Sequence, residues 1–102
     1  MIKWFIDDER FPIGEGWVIL RTSEDASVEI TKGPFPNFIS FDHDLGGEDT
    51  SMKFINYLME KTLDGEVTWP QKFDYYVHSQ NPIGAANIKA KMDNLIWYVY
   101  GE

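Results

Sequence analysis

The chain has 102 residues, enough for one small domain and too few for two independent cores. Hydrophobic residues make up 43% and charged residues 25%, a balance that excludes a disordered chain, and the absence of cysteine excludes a disulfide framework, a thiolate zinc site and a cysteine nucleophile. A formal charge of −8 leaves no basic stripe for a duplex nucleic acid, and no apolar run is long enough to span a bilayer, so the expectation is a single cytoplasmic domain, residues 1–102, with no membrane partner.

In chain order, the first apolar run, residues 2–6, reads as a strand and ends in Asp7-Asp8-Glu9-Arg10. Residues 7–16 carry Pro12, Gly14 and Gly16 and are too short for a crossover helix, so they read as a loop and leave the direction of the next strand, residues 17–21, undecided. Ser23 reads as the N-cap of a helix through Ala26 and Ile30 that stops at Gly33-Pro34. A second strand of the same kind as the first, residues 38–41, ends in Asp42-His43-Asp44. The clearest helix follows over residues 50–63, where Met52, Ile55, Leu58, Met59 and Leu63 recur at spacings of three and four before Asp64-Gly65. Residues 73–77 form another strand that ends in His78-Ser79-Gln80-Asn81. A last helix begins near Pro82 with Ile83, Ile88, Met92, Leu95, Ile96 and Val99 on one face, and its aromatic tail, residues 97–100, reads equally as helix or as a short edge strand.

Strands alternating with helices imply an α/β fold with a mostly parallel sheet. In such sheets ligands bind beyond the carboxyl ends of the strands, and all three polar clusters occupy those ends. Packing alone does not account for three such coincidences.

Each cluster has its own chemistry. Adjacent carboxylates on an extended backbone point to opposite faces, so Asp7 and Asp8 share a hard cation such as Mg²⁺ or Mn²⁺ only if the strand has already turned. Arg10 is one of only two arginines, and its guanidinium suits phosphate oxygens. Asp42 and Asp44 flank His43 and would orient it for proton transfer, while Gly46 and Gly47 permit a close approach of backbone to a ligand. Pro82 suits the first turn of a helix, which places Ser79 and Asn81 near an N-terminus able to receive an anion, with Asn81 also serving as N-cap. His43 and His78 are the only histidines, and both fall at strand ends. Trp4, Trp69, Tyr75 and Trp97 read most simply as core or pocket wall.

With these residues assembled, the chain resembles the cyclic-phosphate-processing receiver-like domains of bacteria and phages. The resemblance rests on Asp7-Asp8-Glu9-Arg10-Phe11-Pro12, on Asp42-His43-Asp44-Leu45-Gly46 and on His78-Ser79-Gln80-Asn81-Pro82-Ile83-Gly84-Ala85, in that order, and runs from residue 4 to about residue 92. It implies a small receiver-like three-layer sandwich with a mostly parallel sheet of four to five strands. It also implies processing of a cyclic phosphate, such as a 2′,3′-cyclic nucleotide or RNA end or a cyclic phosphate of ADP-ribose. An ordinary receiver is a poorer match, because it needs a lysine after a fifth strand and this chain supplies only the helix lysines Lys89 and Lys91.

The residues suit hydrolysis of a strained cyclic phosphodiester, a small anionic nucleotide-like substrate. One of His43 and His78 would activate water and the other would protonate the departing oxygen, with Asp42 or Asp44 orienting a histidine and Arg10, Ser79 and Asn81 holding the phosphoryl oxygens. This route requires no cofactor. The gathered carboxylates raise a competing route in which Mg²⁺ or Mn²⁺, held by Asp7 and Asp8, activates the water. Two other function classes use the same surface: a non-catalytic sensor or sponge for a phosphorylated ligand, and an acidic inhibitor that docks on a basic protein.

Overall fold

The computed structural model describes residues 1–101. Four strands, β1 (Lys3–Ile6), β2 (Trp17–Leu20), β3 (Phe38–Phe41) and β4 (Asp74–Val77), alternate with three helices, α1 (Ser23–Lys32), α2 (Ser51–Leu63) and α3 (Pro82–Tyr100). The sheet runs in the order β2-β1-β3-β4 and every pairing is parallel. This is the receiver-like α/β fold that the sequence implies. The direction left undecided for the second strand is therefore settled: β2 runs parallel to β1, and the loop over residues 7–16 returns the chain to the bottom of the sheet without a helix.

Alternation along the strands sorts the two sheet faces. Trp4, Ile6, Leu20, Ile39 and Phe41 join one buried cluster with Ala26 and Ile30 of α1, Phe54, Ile55 and Leu58 of α2, and Ile88, Met92 and Leu95 of α3. All three helices thus pack in a row on the same face. The other face carries Phe5, Trp17, Phe38 and Ser40, and among the described residues no helix covers it, so the receiver-like fold has one helix layer on its sheet rather than the two of the expected three-layer sandwich. Side chains pack against one another there: Trp17 makes T-shaped contacts with both Phe5 and Phe38, and Lys3 lies over the Trp17 ring.

The helix boundaries show which local signals won. Thr22, not Ser23, caps α1, its side chain accepting from the Asp25 N–H. Ser23 is instead drawn to Asp49, which accepts from both its N–H and its hydroxyl. The aromatic tail over residues 97–100 continues α3 and ends at Gly101 in the left-handed conformation that glycine adopts readily. Ile83, expected on the buried face of α3, is 75% exposed in its first turn.

Because every strand runs the same way, residues 7–10, 42–47 and 78–81 all emerge on one edge of the sheet. The three clusters converge there.

Candidate functional site

The site is built around Asp7, which follows β1 and is fully buried. Its Oδ1 accepts the N–H groups of Glu9 (3.0 Å) and Arg10 (2.9 Å), so the chain turns immediately after the strand. Its Oδ2 accepts Arg10 Nε at 2.8 Å and lies 3.0 Å from His78 Nε2. Burial pushes the Asp7 carboxyl up, but these donors outweigh it and hold it below the usual carboxylate value. Arg21 anchors the same turn, donating from Nη1 to the carbonyls of Asp7 (3.0 Å) and Arg10 (2.7 Å).

Arg10 bridges two strand ends. Beyond Asp7, its Nη2 lies 3.3 Å from Asp42 Oδ2 and donates to the His78 carbonyl at 3.4 Å. Among the described residues Nη1 makes no hydrogen bond, and the side chain is 42% exposed, so part of the guanidinium remains available to a ligand.

His78 follows β4 and lies on the helix-free face, stacked flat on Phe5 with ring centroids 4.4 Å apart. Nδ1 lies 2.7 Å from Ser40 Oγ, and Nε2 faces Asp7. Burial, the largest influence, pushes its pKa below 6.5 against the opposing pull of Asp7. The neutral ring is therefore favoured, with Nε2–H donating to the carboxylate and Ser40 Oγ–H donating to Nδ1. Both nitrogens are engaged.

His43 is placed differently. Its N–H donates to Asp42 Oδ1 at 2.8 Å, and its Nδ1 lies 3.0 Å from Asp44 Oδ1. The ring rests on Gly84, where a β-carbon would overlap it. Among the described residues Nε2 makes no hydrogen bond, and no buried side-chain nitrogen is left without a partner, so this nitrogen meets solvent. Asp44 is held below the usual carboxylate value by hydrogen bonds from His43 and from Asn81.

The loop after β3 forms the opposite lip. It closes through Leu45 N–H to the Asp49 carbonyl and Asp49 N–H to the Gly46 carbonyl, and Gly46 and Gly47 both have positive φ. Ser51 at the start of α2 donates from its hydroxyl to the Asp42 carbonyl and from its N–H to the His43 carbonyl. On the third side, Asn81 caps α3 by accepting the Gly84 N–H and donates from Nδ2 to Asp44 at 3.3 Å. Ser79 Oγ accepts the Asn81 N–H.

Between these segments lies a cleft of about 620 Å³ lined by Arg10, Asp42, Asp44, Gly46, Ser79 and Asn81, together with Asp8 and Glu9. Of the residues expected at the site, the lining thus includes Asp8, Arg10, Asp42, Asp44, Ser79 and Asn81. His43, His78 and Asp7 are not among its lining residues. Asp7 and Asp8 do not act as a pair: Asp7 is buried and fully hydrogen-bonded, while Asp8 faces the cleft beside Gly46. The structure groups Asp7 instead with Asp42 and His78, whose ligand-type atoms lie within 4.8 Å of one another.

Three contributions to the site escaped the sequence reading: Ser40, Asp49 and Ser51. Ser40 had a readable signal, a single hydroxyl inside the otherwise apolar Phe38-Ile39-Ser40-Phe41. The others act through contacts distant in sequence.

Comparison with known proteins gives one finding, a family. No curated protein and no solved structure matches the chain. The family model of the cyclic-phosphate processing receiver domain matches residues 2–94, which carry all three strand-end clusters and the cleft they form, and the chain belongs to that family.

Proposed function

We propose that the protein is a phosphoesterase that opens a cyclic phosphate of nucleotide type, a 2′,3′-cyclic nucleotide or RNA end or a cyclic phosphate of ADP-ribose, with His43 as its acid–base group. The observation that carries this reading is the contrast between the two imidazoles: His43 keeps Nε2 open to solvent, whereas both nitrogens of His78 are engaged. With Nδ1–H donating to Asp44, the lone pair of Nε2 is the base. It takes a proton from water as the water oxygen bonds to phosphorus. One ribose C–O–P linkage breaks at the P–O bond, and the departing oxygen takes a proton from water in the open cleft.

Arg10 Nη1, the Ser79 hydroxyl and the backbone at Gly46 and Gly47 receive the phosphoryl oxygens. Asn81 acts as a positioning residue, because its amide is spent on Gly84 and Asp44. The acids of the cleft limit the charge it accepts. A cyclic diester carries a single negative charge, which suits a lining where Asp42 is paired with Arg10 and Asp44 is bonded to His43 and Asn81.

The test incubates the protein with 2′,3′-cyclic nucleotides, an RNA ending in a cyclic phosphate and ADP-ribose 1″,2″-cyclic phosphate, with products read by ³¹P NMR in the presence and absence of EDTA. Turnover lost in His43→Ala supports the reading. A ligand bound tightly and never converted overturns it in favour of a sensor or sponge.

A further inference from the structure

We infer that Arg10 is the resident cation of a carboxylate–imidazole cluster built like a divalent-metal site, so that the native chain excludes a metal from Asp7, Asp42 and His78, and the chain without this guanidinium binds one. The cluster has the ligand types and the spacing. It offers two carboxylate oxygens and one imidazole nitrogen within 4.8 Å of one another, and Asp7 Oδ2 lies 3.0 Å from His78 Nε2. Metal–ligand bonds of about 2.1 Å place neighbouring ligands about 3 Å apart, the separation found between Asp7 and His78.

A cation is already seated there. Arg10 Nε lies 2.8 Å from Asp7 Oδ2 and Nη2 lies 3.3 Å from Asp42 Oδ2, so the planar guanidinium spans both carboxylates. The seat is set locally, since Arg10 also donates its backbone N–H to Asp7 Oδ1. An ion entering the cluster would have to displace Arg10 Nε and the His78 proton from Asp7 Oδ2 and would face the repulsion of the guanidinium at close range. Carboxylates at the end of the first strand, which would suit Mg²⁺ or Mn²⁺ in the absence of a counter-charge, do not fit a metal in this chain.

Removing the guanidinium reverses the balance. Asp7 would then be a buried carboxylate without its cation, an arrangement that strongly favours recruiting another. Ser40 makes His78 ready for it. A ligating imidazole donates its second N–H to a nearby acceptor, and the Ser40 hydroxyl, 2.7 Å from Nδ1, can accept as readily as it donates. His78 can present Nε2 to an ion by shifting its proton to Nδ1, with no net change in protonation.

The experiment titrates Mn²⁺ into metal-free wild type, Asp42→Asn, Arg10→Met and Arg10→Met/Asp42→Asn proteins, reading free Mn²⁺ by electron paramagnetic resonance and folding by circular dichroism. Arg10→Met should bind one Mn²⁺ at least tenfold more tightly than wild type, and Asp42→Asn should abolish the gain. Arg10→Gln, which keeps an amide donor toward Asp7, should show the same gain if the methionine variant does not fold. Wild type binding as tightly as Arg10→Met with the same sensitivity to Asp42→Asn would overturn the inference, as would a folded Arg10 variant with no gain. The readout is metal occupancy, so its outcome is independent of whether any cyclic phosphate is hydrolysed.

Discussion

The hydroxyl of Ser40 and Nδ1 of His78 lie 2.7 Å apart, joining the middle of β3 to the end of β4 on the face that no helix covers. Ser40 is buried, and His78 stacks on Phe5, which flanks Ser40 in the sheet register. Substituting Ser40→Ala leaves Nδ1 without its donor in a half-buried position, which costs about 1–3 kcal/mol. Urea denaturation should show that loss, and Ser40→Thr, which keeps the hydroxyl in a strand that accepts β-branched residues, should recover most of it. An unchanged urea midpoint in Ser40→Ala would show that the contact does not hold the ring.

His78 also makes stability depend on pH. Burial depresses its folded pKa below 6.5, the value expected of the unfolded chain. Between those two values the unfolded state binds more protons, so stability is full above about pH 6.5, falls as the pH drops toward the folded value, and levels off below it. The carboxylates held low, Asp7 and Asp49 among them, act only below their ordinary value of 3.8 and so leave this window to the histidine. Wild type should lose stability between pH 7.5 and pH 5.5 more steeply than His78→Gln. A His78 Cε1–H resonance titrating above 6.5 would reverse the sign.

Gly84 is the second tight contact of the site. Alanine there would ordinarily help a helix by up to about 1 kcal/mol, yet its β-carbon would overlap the His43 ring. Displacing a packed ring costs about 1–3 kcal/mol, so the net effect of Gly84→Ala should be destabilising. The cause is separable by a double-mutant cycle: in a His43→Ala background the same substitution should become neutral or stabilising. Equal penalties in both backgrounds would place the strain elsewhere.

The sequence made the strands legible because short aromatic and β-branched runs ended in dense polar clusters, and the parallel rule then brought Arg10, Asp42, Asp44, Ser79 and Asn81 to one edge. Helix periodicity placed Ile55 and Leu58 of α2 and most of the α3 stripe, but it missed Phe54, which is fully buried, and included Leu63, which is 57% exposed at the helix end. It also carries no information about which sheet face receives a helix, so the one-sided row of helices was not readable. The direction of β2 was hidden because its connection contains no helix. The capping error at Ser23 has a long-range cause: Asp49, 26 residues away, captures the serine and leaves the cap to Thr22. The difference between the two histidines was equally illegible. Both stand at strand ends, His43 between two acids and His78 between Val77 and Ser79, and only the positions of Ser40, Asp7 and Phe5 in space determine which imidazole keeps a free nitrogen.

The Asp49–Ser23 contact yields the last prediction, because it ties the lip of the cleft to α1. Asp49 Oδ1 accepts the Ser23 hydroxyl at 2.5 Å and Oδ2 accepts the Ser23 N–H at 2.9 Å. Burial pushes this carboxyl up, and the two Ser23 donors outweigh it and hold it below 3.8. The backbone of the same residue closes the loop on Leu45 and Gly46. Asp49→Asn replaces one acceptor by an NH₂ group facing a donor, which costs about 1–3 kcal/mol and removes the charge that strengthens the other bond. The loss should be local first: the backbone amides of Leu45 and of the substituted residue itself should exchange faster, while Phe5 and Ile39 in the central strands keep their protection. If the lip positions Gly46 and Gly47 for a phosphoryl group, ligand affinity should fall in step with that exchange, and a variant with a loosened lip and unchanged affinity would remove these glycines from the binding surface.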